Sequence, residues 1–163
     1  VTSQLGLDDQ LLVVSFCVFG PVEPAGSKTA WRSRDGHRAG VRDANPQVRL
    51  NRADLARCGA EAMTLARRPG LVDGPLRLDI VIYRRRPKGH YGTGKNAARI
   101  RPGAPPFPTT KPDVNKQGRQ VEDALTGVVW RDDAQIVEEH LQKRYGVERV
   151  EITVSHAAAE GDP

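Results

Sequence analysis

The stretch 111–135, KPDVNKQGRQVEDALTGVVWRDDAQ, decides how this chain is read. Its spacing predicts a helix over 114–125. Val114, Gly118, Val121 and Leu125 recur on one face, and Gly127 stops the run. Around that helix gather five acidic side chains, Asp113, Glu122, Asp123, Asp132 and Asp133, in a chain whose charge is otherwise basic. Hard divalent cations take carboxylate and water oxygens. Phosphodiester hydrolysis often uses one or two such ions to activate water and to neutralise the leaving oxygen. A site of that kind needs carboxylates converging from different elements. Asp113 lies at a loop-to-helix junction, and Asp132 and Asp133 follow Trp130 at the start of the next element, so a helix that folds back can bring them together. Each acid also has an ordinary structural reading. Asp113 suits an N-cap, Asp132 and Asp133 suit a turn, and Asp123 suits an ion pair with a nearby Arg or Lys. Spacing alone does not choose between these.

Outward from this stretch, alternation predicts strands. In PLRLDIVIYRRRP, Leu76, Leu78, Ile80 and Ile82 alternate with Arg77, Asp79 and Val81, as in a strand with one buried face. VERVEITVS does the same through Val150, Ile152 and Val154. LLVVSFCVFG, closed by Gly20-Pro21, reads as a buried strand. QIVEEHLQKRY fits a helix about as well as a strand. From about Leu50 to Arg67 the pattern is helical, with Leu55, Ala62, Met63 and Ala66 on one face and Arg68-Pro69-Gly70 ending it. Two long basic, Gly- and Pro-rich segments remain, 21–46, with room for a short hairpin, and 87–112. Loops of this length in a small domain are usually functional or mobile.

The 163 residues favour one domain over 11–155, with loose tails at 1–10 and 156–163. Net charge is +5 and the pI about 9.6, which favours a polyanionic partner such as nucleic acid or an anionic membrane surface. Cys17 and Cys58 sit in apolar surroundings and read as two buried free thiols, with no zinc spacing and no disulfide framework. The longest apolar run is too short to span a bilayer and lacks the flanks of a signal peptide, so a cytoplasmic protein is expected. GHYGTGKN, 89–96, nearly matches a phosphate-binding loop. Asn96 cannot supply the magnesium-ligating hydroxyl, and the prolines that follow leave no helix to present its N-terminus. A basic loop against a phosphate backbone is the better functional reading.

The stretch from KPDV through EDALTGVVWRDDAQIV resembles the RusA family of Holliday junction resolvases. The family pattern runs roughly K-P-D-x-D-N-L-x-K, then D-A-L-x-G, then W-x-D-D-x-Q. Here it reads KPDVNKQGR, DALTG and WRDDAQ. HYGTGKNAARIRP resembles the family's basic loop and GPVEPAGSK its G-x-P-x-x-x-x-K segment, so the likeness covers most of 13–154. It implies a single α/β (α+β-type) domain with a mixed sheet and helices, acting as a homodimer. Two-fold symmetry suits a four-way junction with two symmetric strands to cut. It also implies a Mg²⁺-dependent endonuclease in recombination and repair, with Mn²⁺ as a possible substitute, bacterial or phage-encoded and nucleoid-associated. Asp113 and Asp133 would ligate metal, with Asp132 beside them.

The departures lie at the same place. The second acid of the D-x-D pair is Asn115 here, the following asparagine is Lys116, and the lysine one turn on is Arg119. Asn115 can ligate through its carbonyl oxygen but brings no charge. Positions 115, 119 and 122 share a helix face, so Glu122 is a candidate to supply the missing acid, and an i−3 ion pair with Arg119 is the competing reading. Lys116 or Arg119 would stabilise charge on the phosphoryl oxygens. Lys28, Lys88, Lys95, Arg99 and Lys111 would contact phosphates. The rivals are a weakened or inactive protein of the same fold that binds branched DNA, and a basic RNA- or ribosome-associated protein. The lack of an aromatic platform counts against single-strand recognition.

Overall fold

A computed structural model describes residues 12–24, 28–43 and 45–158. The elements, in chain order, are β1 (Leu12–Phe19), β2 (Lys28–Arg32), β3 (Ala39–Asp43), α1 (Pro46–Leu65), β4 (Leu76–Arg84), α2 (Val114–Leu125), β5 (Ile136–Tyr145) and β6 (Arg149–His156). One sheet has the order β1-β6-β4-β5, and β2-β3 form a separate hairpin. β6 runs antiparallel to β1 and to β4, whereas β5 runs parallel to β4. The sheet is therefore mixed, as expected. A parallel pair needs a long crossover, and the 87–112 loop together with α2 supplies it.

Both helices cover one face of this sheet. β4 lies at its centre because its alternate residues are apolar: Leu76, Leu78, Ile80 and Ile82 are at most 1% exposed. Val150, Ile152 and Val154 of β6 join them, and Leu55, Val121, Leu125 and Trp130 close the core from the helical side. Burial of each such side chain contributes roughly 1.5–3 kcal/mol. The helices cross at Gly59, where a Cβ would lie 2.7 Å from Leu125 Cδ2.

α2 occupies the span that its apolar stripe predicts. α1 begins four residues before the periodicity does. Asn45 caps it, its side chain accepting from Gln47 N–H at 3.0 Å, and Pro46 fits the first turn, where no N–H is needed. The ambiguous 136–145 segment is a strand, because the edge of β4 offers it a full parallel ladder.

Two expectations are corrected. β1 is an edge strand rather than a wholly buried one: Val14 and Val18 are buried, while Ser15, Cys17 and Phe19 are exposed. The reason is that the helices cover only one face of the sheet. Cys17 is consequently exposed and Cys58 partly buried, so they are not two buried thiols, although both are free. The segment 1–10, expected as a tail, lies outside the described residues. Of 156–163, His156 closes β6, Ala157 N–H donates to Pro75 O, and 159–163 lie outside them.

Candidate nucleic-acid interface and acidic centre

α2 runs antiparallel alongside β5, and Gly118 sets the spacing. A Cβ there would lie 2.8 Å from Leu141 Cδ1 and 3.4 Å from Glu139 Oε1. Glycine lets the helix ride close to the strand, and this places Glu122 beside Glu139. Burial, first, and then the charge of Glu139 and a hydrogen bond with it, raise the Glu122 carboxyl to about 7, with a smaller push from Asp133. Arg119 opposes this most weakly. The ion pair with Arg119 weighed from the sequence does not form; Glu122 faces a carboxylate instead. Asp133 also hydrogen-bonds Asp132, whose carboxyl accepts Ala134 N–H at 2.9 Å. That backbone bond, with Asp133 second, holds Asp132 below the usual carboxylate range.

At the other end of α2, Asp113 is the N-cap, accepting from Asn115 N–H at 3.0 Å. Lys143 Nζ donates to Thr110 O and Pro112 O at 3.0 Å each, and the charge of Asp113 acts on it. Arg84 donates to Lys111 O at 2.6 Å. These two cations hold the peptide that carries Asp113, across a cis Lys111–Pro112 bond. Burial, then the neighbouring Arg84, lowers the Lys143 pKa, and Asp113 resists. Beside them a groove of about 790 Å³ is lined by Glu23, Thr110, Lys111, Asp113, Lys116 and Lys143, among others. Asn115 and Arg119 are exposed on the helix between the two ends.

The acids thus fall into two groups. Asp113 and Glu122 are nine residues apart on one helix, about 13 Å along its axis. Glu122, Glu139, Asp133 and Asp132 are neighbours at one end, and Asp113 faces Lys143 at the other. Asp123 takes neither part and pairs with Arg52 at 3.0 Å. Carboxylates are the right donors for Mg²⁺. As they stand they do not fit an ion, because among the described residues no three His, Cys, Asp or Glu side chains are arranged to hold one.

Glu139 and Lys143 are absent from the sequence-derived candidates. Read as a strand, 136–145 puts 139, 141 and 143 on one face, and that alternation was the available signal. Of the expected phosphate contacts, Lys88, Lys95, Arg99 and Lys111 are exposed. Lys28 opens β2, but its side chain lies outside the described residues. Around Lys95 the backbone is a single 3-10 turn, Gly94–Asn96, with no α-helix after it before α2. The phosphate-loop reading fails on that context.

These features define a small single-domain α/β protein with an acidic centre and a rim of exposed cations. The chain belongs to the endodeoxyribonuclease RusA family, whose model matches residues 21–155. A Bacillus subtilis (strain 168) protein described as "Uncharacterized protein YqaN" is 34% identical over 90 residues, 55% of this chain. The match spans 63% of that protein's length. Among the described residues no helix is long and apolar enough to cross a membrane.

Proposed function

We propose that this chain binds branched DNA, four-way junctions above all, and that its metal-dependent nicking is weakened or lost. The observation that carries this reading is the state of the α2 N-terminus. Asn115 is neutral where the family pattern has an acid, Asp113 is committed to capping the helix, and Glu23, the other carboxylate of the groove, accepts from Asn45 Nδ2. A divalent cation gains little from two carboxylates already committed to hydrogen bonds in a groove that Lys111, Lys116 and Lys143 also line. The basic rim keeps its purpose, because phosphate contacts need no metal. Homodimerisation and a cytoplasmic, nucleoid-associated place in a bacterium or phage-infected cell belong to the same reading.

A second reading, a metal-dependent junction endonuclease, is favoured by the gathering of Glu122, Glu139 and Asp133. There Glu122, Glu139 and Asp133, with Asp132 beside them, would be the ligands of Mg²⁺, Asp113 and Asn115 at the other end of α2 would lie outside that ion's reach, and Lys116 or Arg119 would face the phosphoryl oxygens. An end-labelled immobile junction, incubated with protein in Mg²⁺ and then in Mn²⁺, separates the two on a denaturing gel. The expected result is a stable complex with little nicking, and nicking that rises on Asn115→Asp. Efficient symmetric nicks by the unaltered chain, abolished by Asp133→Asn, would establish the second reading and sink the first.

A further inference from the structure

The β2-β3 hairpin is built like an arm. No described side chain between 29 and 41 is buried. Its cross-strand register pairs Trp31 with Gly40. A Cβ at Gly40 would lie 3.0 Å from Trp31 Nε1 and 3.3–3.4 Å from Cε2 and Cζ2. The indole thus rests against bare backbone on one side, and it is 40% exposed. Among the described residues it makes no hydrogen bond, ring contact or cation stack. The other tryptophan, Trp130, is fully buried and bonds Thr126 Oγ1 at 3.1 Å. Packed against Gly40 on one side, the indole has, among the described residues, its other side open to a partner.

The surrounding charge indicates the partner. Arg32, Arg34 and Arg38 are exposed on the same hairpin. Asp35 at the tip is turned back onto Ser33 Oγ and His37 N–H, the latter at 3.1 Å. The arm is therefore cationic around its aromatic ring. A flat aromatic among arginines fits a nucleobase flanked by phosphates.

Position agrees with charge. The chain leaves the groove beside Asp113 at Pro24 to enter the hairpin, and returns at Asn45, whose Nδ2 donates to Glu23 Oε2 at 2.9 Å. Glu23 and Pro24 both line that groove. The arm is rooted at the groove's rim, and Trp31, fourth in β2, sits roughly 10 Å along the strand from its start.

We infer that Trp31 is a stacking residue for an unpaired base at a DNA branch point, presented by the β2-β3 arm while Arg32, Arg34 and Arg38 hold the flanking phosphates. This deepens the junction-binding reading and rests on it. It also amends the expectation that the chain has no aromatic platform.

Tryptophan emission tests it, since only Trp31 is exposed. The full-length protein is titrated with an immobile four-way junction, with a blunt duplex of one arm's sequence and with an oligo-dT strand, following emission and, separately, Kd. The same is done for Trp31→Phe and Trp31→Ala. Junction and dT should quench the unaltered chain, and neither should quench Trp31→Phe. Trp31→Ala should weaken junction and dT binding on the order of ten-fold, the size of one base–aromatic stack, while duplex binding changes less than two-fold. If the junction binds but emission is unmoved and Trp31→Ala binds as tightly, the inference falls and junction binding stands. Equal quenching by duplex would mean contact with the backbone and would also overturn it. If no DNA binds at all, both readings fall together. Emission that shifts with protein concentration alone would make the arm a self-association surface, which overturns it too.

Discussion

Glu122 shows how one side chain can be set by its neighbours. The groups facing it are Glu139 and Asp133, with Arg119 at longer range. Burial and the two acids raise its carboxyl from an ordinary 4.5 to about 7. In the unfolded chain those neighbours disperse and the ordinary value returns. The native state therefore binds the proton more tightly, so this group's contribution to stability is complete below about 4.5 and is lost as pH rises to about 7. In EDTA, the urea midpoint should fall with rising pH across that window. Glu122→Gln keeps a hydrogen-bonding partner for Glu139 and cannot ionise, so it should flatten the slope. A variant whose slope parallels the unaltered chain would mean that Glu122 titrates normally and the acidic cluster is looser than described.

At the scale of elements, the contact between α1 and α2 hangs on Gly59. Alanine is a better helix former than glycine by about 1 kcal/mol, so propensity alone says that Gly59→Ala stabilises. Packing says the opposite. The new Cβ would lie 2.7 Å from Leu125 Cδ2, with Val129 and Phe16 behind at 3.4 and 3.6 Å, and Leu125 is fully buried with nowhere to turn. Overpacking of this kind costs about 1–3 kcal/mol, so the net effect expected in urea unfolding is a loss of about 1 kcal/mol. Leu125→Ala alone should cost about 2–5 kcal/mol. On that background the Gly59→Ala penalty should vanish or change sign, because the opposing Cδ2 is gone. Additive losses would show that the clash is relieved elsewhere and that the crossing is not set at Gly59.

For the whole molecule, the strands β4 and β6 and helix α2 were legible because each keeps one period with little interruption, and Ile80 or Val121 fits only one face. β5 was not, since Ile136, Val137, Leu141 and Tyr145 satisfy two periods and only the free edge of β4 decides between them. In the motifs DALTG and WRDDAQ, which carried the family resemblance, Thr126, Gly127, Trp130 and Gln135 hold the fold together. Thr126 Oγ1 accepts the Trp130 indole N–H, Gly127 takes φ +78°, and Gln135 Nε2 donates to Val72 O and Gly74 O. Such residues identify a fold reliably and leave the chemistry open, and that is why Glu139 and Lys143, contributed by the ambiguous strand, went unseen. The same division separates the loop's cations. Arg86 is a strut, donating to Pro105 O at 2.9 Å and lying 4.1 Å over the Tyr145 ring. Lys88, Lys95, Arg99 and Lys111 are exposed, and none forms an ion pair with a described carboxylate. If those four meet phosphates, log K for junction DNA should fall with log salt at about −0.9 per contact. Replacing any one by Ala should make the slope shallower by about one unit, with little change in urea midpoint. Arg86→Ala should do the reverse, lowering the midpoint and leaving the slope nearly intact, because its guanidinium is already committed to the protein. A slope that stays constant through all four lysine and arginine replacements would move the DNA away from this loop and onto another face of the sheet.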